Sequence, residues 1–164
     1  MNLKNNQTKK IAIIGGGFSG LAVAYNLLKL NSGSSHLEGS NLHQQKMGAH
    51  FSVDIFDDEN FQNNGKAYQT NDLHHILNVP ADKMGLPFDD EEHFYKWLKQ
   101  NHNSEIARDN FAPRPLYRAY LQEIILELQK NPALNFVGDK ISDIKFIDEK
   151  YVLNNQQQYD FVVV

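Results

Sequence analysis

Apolar positions along the chain follow two spacings that alternate in blocks. Ile11-Ala12-Ile13-Ile14 is a short continuous apolar run, and after an interval of small residues Leu21, Ala24, Leu27 and Leu28 recur at offsets of three and four. That order predicts a buried strand from Lys10, a tight turn and an amphipathic helix. Ser52 to Phe56 is a second strand run. His74 to Met84 has no clean period and reads as a structured loop. Phe94, Trp97 and Leu98 give the buried stripe of a helix ending near Asn101, capped by Asp89 or Asp90, with Asp89 and Glu92 at capping-box spacing. Pro115 stands where another helix can begin, and Leu116, Tyr120, Leu121, Ile124, Ile125 and Leu128 carry its apolar face as far as Lys130.

The last third turns to strands. Leu134 to Gly138 suits a third parallel strand. Ile141 to Ile147 and Lys150 to Leu153 alternate apolar with polar residues, as a half-exposed antiparallel pair turned at Asp148-Glu149 does. Tyr159 to Val164 reads as one fully buried strand, inside which the chain stops. The pattern predicts an α/β fold: a parallel sheet with a crossover helix, a helical excursion between its second and third strands, and a small antiparallel β-meander before the last strand. The domain is expected to span 10–164, truncated at its C-terminus, behind a polar tail over 1–9. Residues 31–50 form a polar interval of Ser, Gly, Asn, Gln and His, much longer than the ~2–6 residues usual between elements of an α/β unit. We read it as a flexible surface insertion.

Composition narrows the function. The 164 residues make one domain by length, with a net charge of −4, which offers no electrostatic footprint for nucleic acid. There is no cysteine, so disulfides, thiolate metal sites and a cysteine nucleophile are excluded. The polar tail leaves no room for a signal peptide's apolar segment and no run approaches a membrane span, so the cytoplasm is the expected location. His36, His43 and His50 recur every seven residues, but the glycines and serines between them oppose a helix that would align them, and no metal site is expected.

The chemistry concentrates where the first strand stops. In Gly15-Gly16-Gly17-Phe18-Ser19-Gly20, Gly15, Gly17 and Gly20 stand at the spacing of the dinucleotide-binding fingerprint. Gly15 allows the sharp exit from the strand, Gly17 lets a pyrophosphate approach the backbone, and Gly20 lets the helix lie close to the strand. The amides from Gly17 to Gly20 then face outward at the positive end of the helix dipole. Asp57, at the end of the second strand, is where such a site needs a carboxylate for a ribose, while Asp58 and Glu59 read as a solvated turn. It follows Gly20 by 37 residues rather than the usual ~20, an excess the insertion explains. Gly65 suits a positive φ. Asn78 either ties down its loop or hydrogen-bonds a cofactor. Arg114 sits at a helix start, where cations are disfavoured, so an anionic ligand or a buried carboxylate is expected beside it. Trp97 is a packing residue.

Ile-Ile-Gly-Gly-Gly-Phe-Ser-Gly-Leu from Ile13, Gly65-Lys66-Ala67-Tyr68, Leu77-Asn78-Val79-Pro80-Ala81 with Met84, His93 to Leu98, and Pro113-Arg114 with Tyr117 and Tyr120-Leu121 occur in an order that resembles one family. It is the FAD/NAD(P)-binding domain of bacterial FAD-dependent urate hydroxylase-like flavoproteins, more distantly similar to N-hydroxylating flavin monooxygenases. The resemblance implies a Rossmann-like fold with FAD on the first glycine turn, its adenosine ribose at Asp57 and the Gly65 and Asn78 loops near the cofactor, with NAD(P)H as co-substrate. Such proteins continue past the last strand. The expected function is therefore an incomplete FAD-binding domain of an oxidoreductase or monooxygenase-like protein, able to self-associate through uncovered apolar surface. An NAD-binding dehydrogenase-type domain and a catalytically inert binding module are the alternatives. No catalytic residue is assigned; His74, His75 and Arg114 are polar candidates.

Overall fold

The computed structural model describes residues 8–31, 51–58, 65–102 and 105–164. Most of the 31–50 interval, with His36, His43 and His50, lies outside them, as does Glu59. Seven strands and three helices are described: β1 (Lys9–Ile14), α1 (Phe18–Asn31), β2 (Phe51–Phe56), α2 (His93–His102), α3 (Arg114–Leu128), β3 (Leu134–Val137), β4 (Ile144–Ile147), β5 (Lys150–Leu153), β6 (Gln157–Tyr159) and β7 (Phe161–Val163). Four strands form a parallel sheet in the order β3-β2-β1-β7, and β4-β5-β6 form an antiparallel meander.

Alternation along the parallel strands assigns each residue to a layer. Ile11, Ile13, Val53 and Ile55 join Leu21, Ala24 and Leu28 of α1 and Leu121, Ile124 and Leu128 of α3 in the larger core. On the opposite face Ala12 and Phe56 pack with Leu153 and Tyr159 of the meander. Both faces are covered, which explains why these strands read as unbroken apolar runs. Between β2 and β3 the chain makes its helical excursion, where Phe94, Trp97, Tyr117 and Tyr120 form an aromatic cluster with centroids 4.8–6.1 Å apart for the pairs in contact. Tyr117 donates from its hydroxyl to Met84 O, and the Tyr120 hydroxyl accepts from Leu86 N, so the helices fix the preceding loop.

Two expectations need correction. The helix predicted from Asp89 starts at His93. Asp89 and Asp90 precede that start by four and three residues, Asp89 pairing with Lys29 of α1 at 2.7 Å and Asp90 with Lys96. The Tyr159–Val164 run is not one strand: it breaks at Asp160, with β6 antiparallel to β5 and β7 parallel to β1. Nor is it fully buried, since Phe161 is 50% exposed on the edge strand. Of the two partners expected beside Arg114, an anionic ligand or a buried carboxylate, no carboxylate is found among the described residues. Arg114 Nε donates to Ile76 O at 3.1 Å and its Nη1 to Ala67 O at 3.2 Å.

Candidate dinucleotide site

Sheet order locates the site. From β1 the chain builds outward on one side through β2 and β3, then returns to the other side as β7, so strand order reverses at β1. In open α/β sheets ligands bind beyond the carboxyl ends of the strands at such a reversal. A cavity of about 420 Å³ lies there, lined by the ends of β1 and β7, the glycine turn, Val23 and the Gly65–Tyr68 segment.

The three fingerprint glycines have separate local reasons. Gly15 has φ +110°, outside the range that residues with a Cβ adopt comfortably. At Gly20 a Cβ would stand 1.9 Å from Gly15 O, so only glycine lets α1 press against the turn. At Gly17 a Cβ would make ordinary van der Waals contact with Gly65 Cα, at 3.9 Å, without a clash. The two glycines thus let the turn and the Gly65 segment approach each other at the cavity wall. Gly65, with φ +81°, leads into a 3-10 turn over Lys66–Tyr68.

Leu21 is the first residue after the turn whose amide finds a helical acceptor, Gly17 O at 3.0 Å. The amides of Gly17, Phe18, Ser19 and Gly20 have no acceptor among the described residues. Four donors thus face the cavity at the positive end of α1, whose first turn has no acidic residue. Gly16 differs from its neighbours: its amide donates to Asp57 Oδ2 at 2.6 Å. Asp57 Oδ1 accepts from Asp58 N, and the Asp57 amide donates to Val137 O. The carboxylate at the end of β2 is therefore held against the glycine turn, with lone pairs left for further donors.

Phe18, Ser19, Gly65 and the three fingerprint glycines come together around the cavity, whereas Gly16 and Asp57, joined by their hydrogen bond, are not among the residues that line it. Asn78 is exposed and does not line it. Arg114 stands behind the wall, bound to Ala67 O. His74 and His75 lie outside the cavity and are exposed; His74 Nδ1 is 2.9 Å from Asp72 Oδ1 and His75 Nδ1 is 2.8 Å from Thr70 Oγ1. Hydrogen bonds from the His74 backbone and ring lower the Asp72 carboxyl below its ordinary range. Lys66, Tyr68, Val163 and Val164 also line the cavity and were not singled out by residue-type reasoning. The Gly65-Lys66-Ala67-Tyr68 motif was the available signal for the first two; the valines read only as core. Burial raises the Tyr68 hydroxyl, leaving it a neutral donor or acceptor at the cleft. Among the described residues no His, Asp or Glu cluster could hold a metal ion, and no helix is long and apolar enough to cross a membrane.

A parallel sheet reversing at its central strand, with a glycine turn that presents bare amides and an acid anchored beside it, defines a Rossmann-like dinucleotide-binding domain. Residues 12–164 match the FAD-NAD(P)-binding family, and the chain belongs to it. No curated protein matches the chain. Among solved structures it is similar to S-allyl-L-cysteine S-oxygenase from Allium sativum, at 16% identity and a TM-score of 0.58, over 95% of this chain and 36% of that one. A cyclohexanone monooxygenase bound to ε-caprolactone is 15% identical with a TM-score of 0.53, over 94% of this chain and 26% of that one. At these identities the likeness concerns the fold. The chain spans about a quarter to a third of the length of those proteins.

Proposed function

We propose that residues 10–164 bind FAD through its diphosphate and adenosine ribose and serve as the cofactor-holding domain of a flavin-dependent oxidoreductase, monooxygenase-like and related to the urate hydroxylase-like flavoproteins. The observation that carries this reading is the Gly17–Gly20 backbone: four amides without acceptors face a cavity into which no side chain from Gly17 intrudes. The residues present fit a diphosphate ester. The amides donate to its oxygens at the helix N-terminus, and Asp57 accepts from the ribose hydroxyls while repelling a 2′-phosphate. Ile14, Phe18 and Val163 supply apolar walls beside these contacts.

When bound, the flavin supplies the redox chemistry; the protein's share is to fix and orient it. The motif order described above supports FAD over NAD(P), and two proteins of this fold are oxygenases by name. The long excursion between β2 and β3 also favours a flavoprotein over a simple NAD fold. Self-association through exposed apolar side chains such as Phe146 and Phe161 forms part of the same reading.

Titrating the chain with FAD, NAD and NADP, followed by flavin fluorescence and thermal shift, tests the proposal. FAD is expected to bind and to raise Tm, and Gly17→Ala to weaken binding at least ~10-fold while leaving the Tm of the free protein within about 2 °C. Stabilisation by NAD but not FAD would replace this reading with the dehydrogenase type, and response to neither would leave only an inert module.

A further inference from the structure

The glycine turn supplies partial charges to the cleft but no full one. Of the side chains that line the cavity, Lys66 is the only charged one among the described residues. It follows Gly65, whose backbone comes within van der Waals range of Gly17 at the cavity wall. Six other lysines, Lys9, Lys29, Lys83, Lys96, Lys145 and Lys150, hold carboxylates within 3.1 Å. Lys66 has no such partner among the described residues, and its side chain is exposed to the cavity mouth.

The wall that carries Lys66 is fastened from behind. Arg114 Nη1 donates to Ala67 O at 3.2 Å, and Arg118 Nη1, one helical turn further along α3, donates to Gln69 O at 3.1 Å. Arg114 Nε also holds Ile76 O. Arg114 thus braces the wall without lining the cavity, and Lys66 is the cation that does line it. A Lys stem rooted on a braced turn loses less freedom on binding than one rooted on a loose loop.

We infer that Lys66 is the counter-charge of the dinucleotide's diphosphate, pairing with it across the cleft from the Phe18–Gly20 amides. The inference rests on the dinucleotide reading above and assigns the ionic part of it to one residue. The ligand chemistry is a diphosphate joined to a nucleoside, shared by FAD, NAD(P) and ADP. A flexible ammonium serves here because it need only neutralise charge, while the amides fix geometry.

Calorimetric titrations of the whole chain with ADP, FAD, adenosine and riboflavin, at low and high ionic strength, test it in the wild type and in Lys66→Ala, Lys66→Arg and Lys66→Glu. Lys66→Ala is expected to weaken ADP and FAD about 5- to 20-fold, a loss of the size of one charge-assisted hydrogen bond. It should leave adenosine and riboflavin within about twofold, and Lys66→Arg should restore most of the affinity. Added salt should weaken ADP in the wild type more steeply than in Lys66→Ala. Thermal melts of the free variants should match the wild type, since the side chain is exposed. Equal ADP affinity in wild type and Lys66→Ala, or equal losses for adenosine and ADP, overturns the assignment of Lys66 alone. A wild-type chain that binds neither ADP nor FAD overturns the dinucleotide reading and this inference with it.

Discussion

Gly20 and Gly17 are three residues apart and respond oppositely to one added methyl. At Gly20 the methyl meets a backbone oxygen that cannot move without breaking the turn, so Gly20→Ala is expected to cost roughly 3 kcal/mol or to prevent folding, as chemical denaturation would record. At Gly17 the methyl meets only Gly65 Cα, at an ordinary contact distance of 3.9 Å, and ligand affinity rather than folding should change. The spacing of the glycines was legible because each answers to a local backbone need. Asp57's grip on the Gly16 amide was not, because the partners lie 41 residues apart and meet only after β1 and β2 pair. His93 gives a residue-scale pH prediction. Its Nδ1 lies 2.8 Å from the Tyr120 hydroxyl, and burial lowers its pKa, against the attraction of Asp90 and Glu127 and aided by Lys96 and Lys29. A folded pKa below the unfolded value means that the unfolded chain binds more protons over that interval. The stabilising term is therefore complete above about pH 6.5 and is lost as pH falls through the folded value. Comparing denaturation midpoints of wild type and His93→Gln from pH 7 to pH 5 should show a shallower decline in the variant; parallel curves would contradict the assignment.

Elements whose boundaries depend on neighbours in sequence were the readable ones. The Asp148-Glu149 turn between β4 and β5 lies where alternation placed it, with φ of +50° and +61° at the two residues. Two-residue hairpins of this hand favour Asn-Gly, so the natural pair carries strain. Glu149→Gly is expected to raise stability by about 0.5–1 kcal/mol, measurable as a shift of the urea midpoint at unchanged slope. Elements set by distant partners were misread. The start of α2 lies later than the two aspartates that looked like caps, in a stretch where Lys29 and Lys96 pair with them and the Gly85 amide closes the preceding loop on Glu91 O at 2.8 Å. The break between β6 and β7 is invisible in Tyr159 to Val164, since every residue there except Asp160 suits a strand.

Asp160 joins the two sheets of the molecule. Its carboxylate accepts from Lys9 Nζ at 2.9 Å, Lys10 N at 2.9 Å and Lys150 Nζ at 2.7 Å, while its amide donates to Lys10 O. The hydrogen bond from Lys150 leads the contacts that hold this carboxyl far below the ordinary carboxylate range. Because the folded value is depressed, its contribution is present above the unfolded pKa near 4 and disappears as pH falls below it. Asp160→Asn should lower stability by about 2 kcal/mol at pH 7 and by progressively less toward pH 2, a convergence that acid-dependent melts would show. The layering of the whole molecule was recoverable from the sequence because covered strands and amphipathic helices leave different periods. The cleft's far wall was not, since Lys66, Ala67 and Tyr68 reach it through the arginines of α3, 47 and 49 residues away.

The central claim is that the glycine turn offers its backbone to a diphosphate. Backbone amide shifts followed by heteronuclear NMR during titration with ADP test it most directly. The account predicts the largest changes at Gly17, Phe18, Ser19 and Gly20, downfield as hydrogen bonds form, with a smaller change at Gly16, whose amide already binds Asp57. Saturable shifts centred elsewhere, with those four amides unmoved, would contradict it.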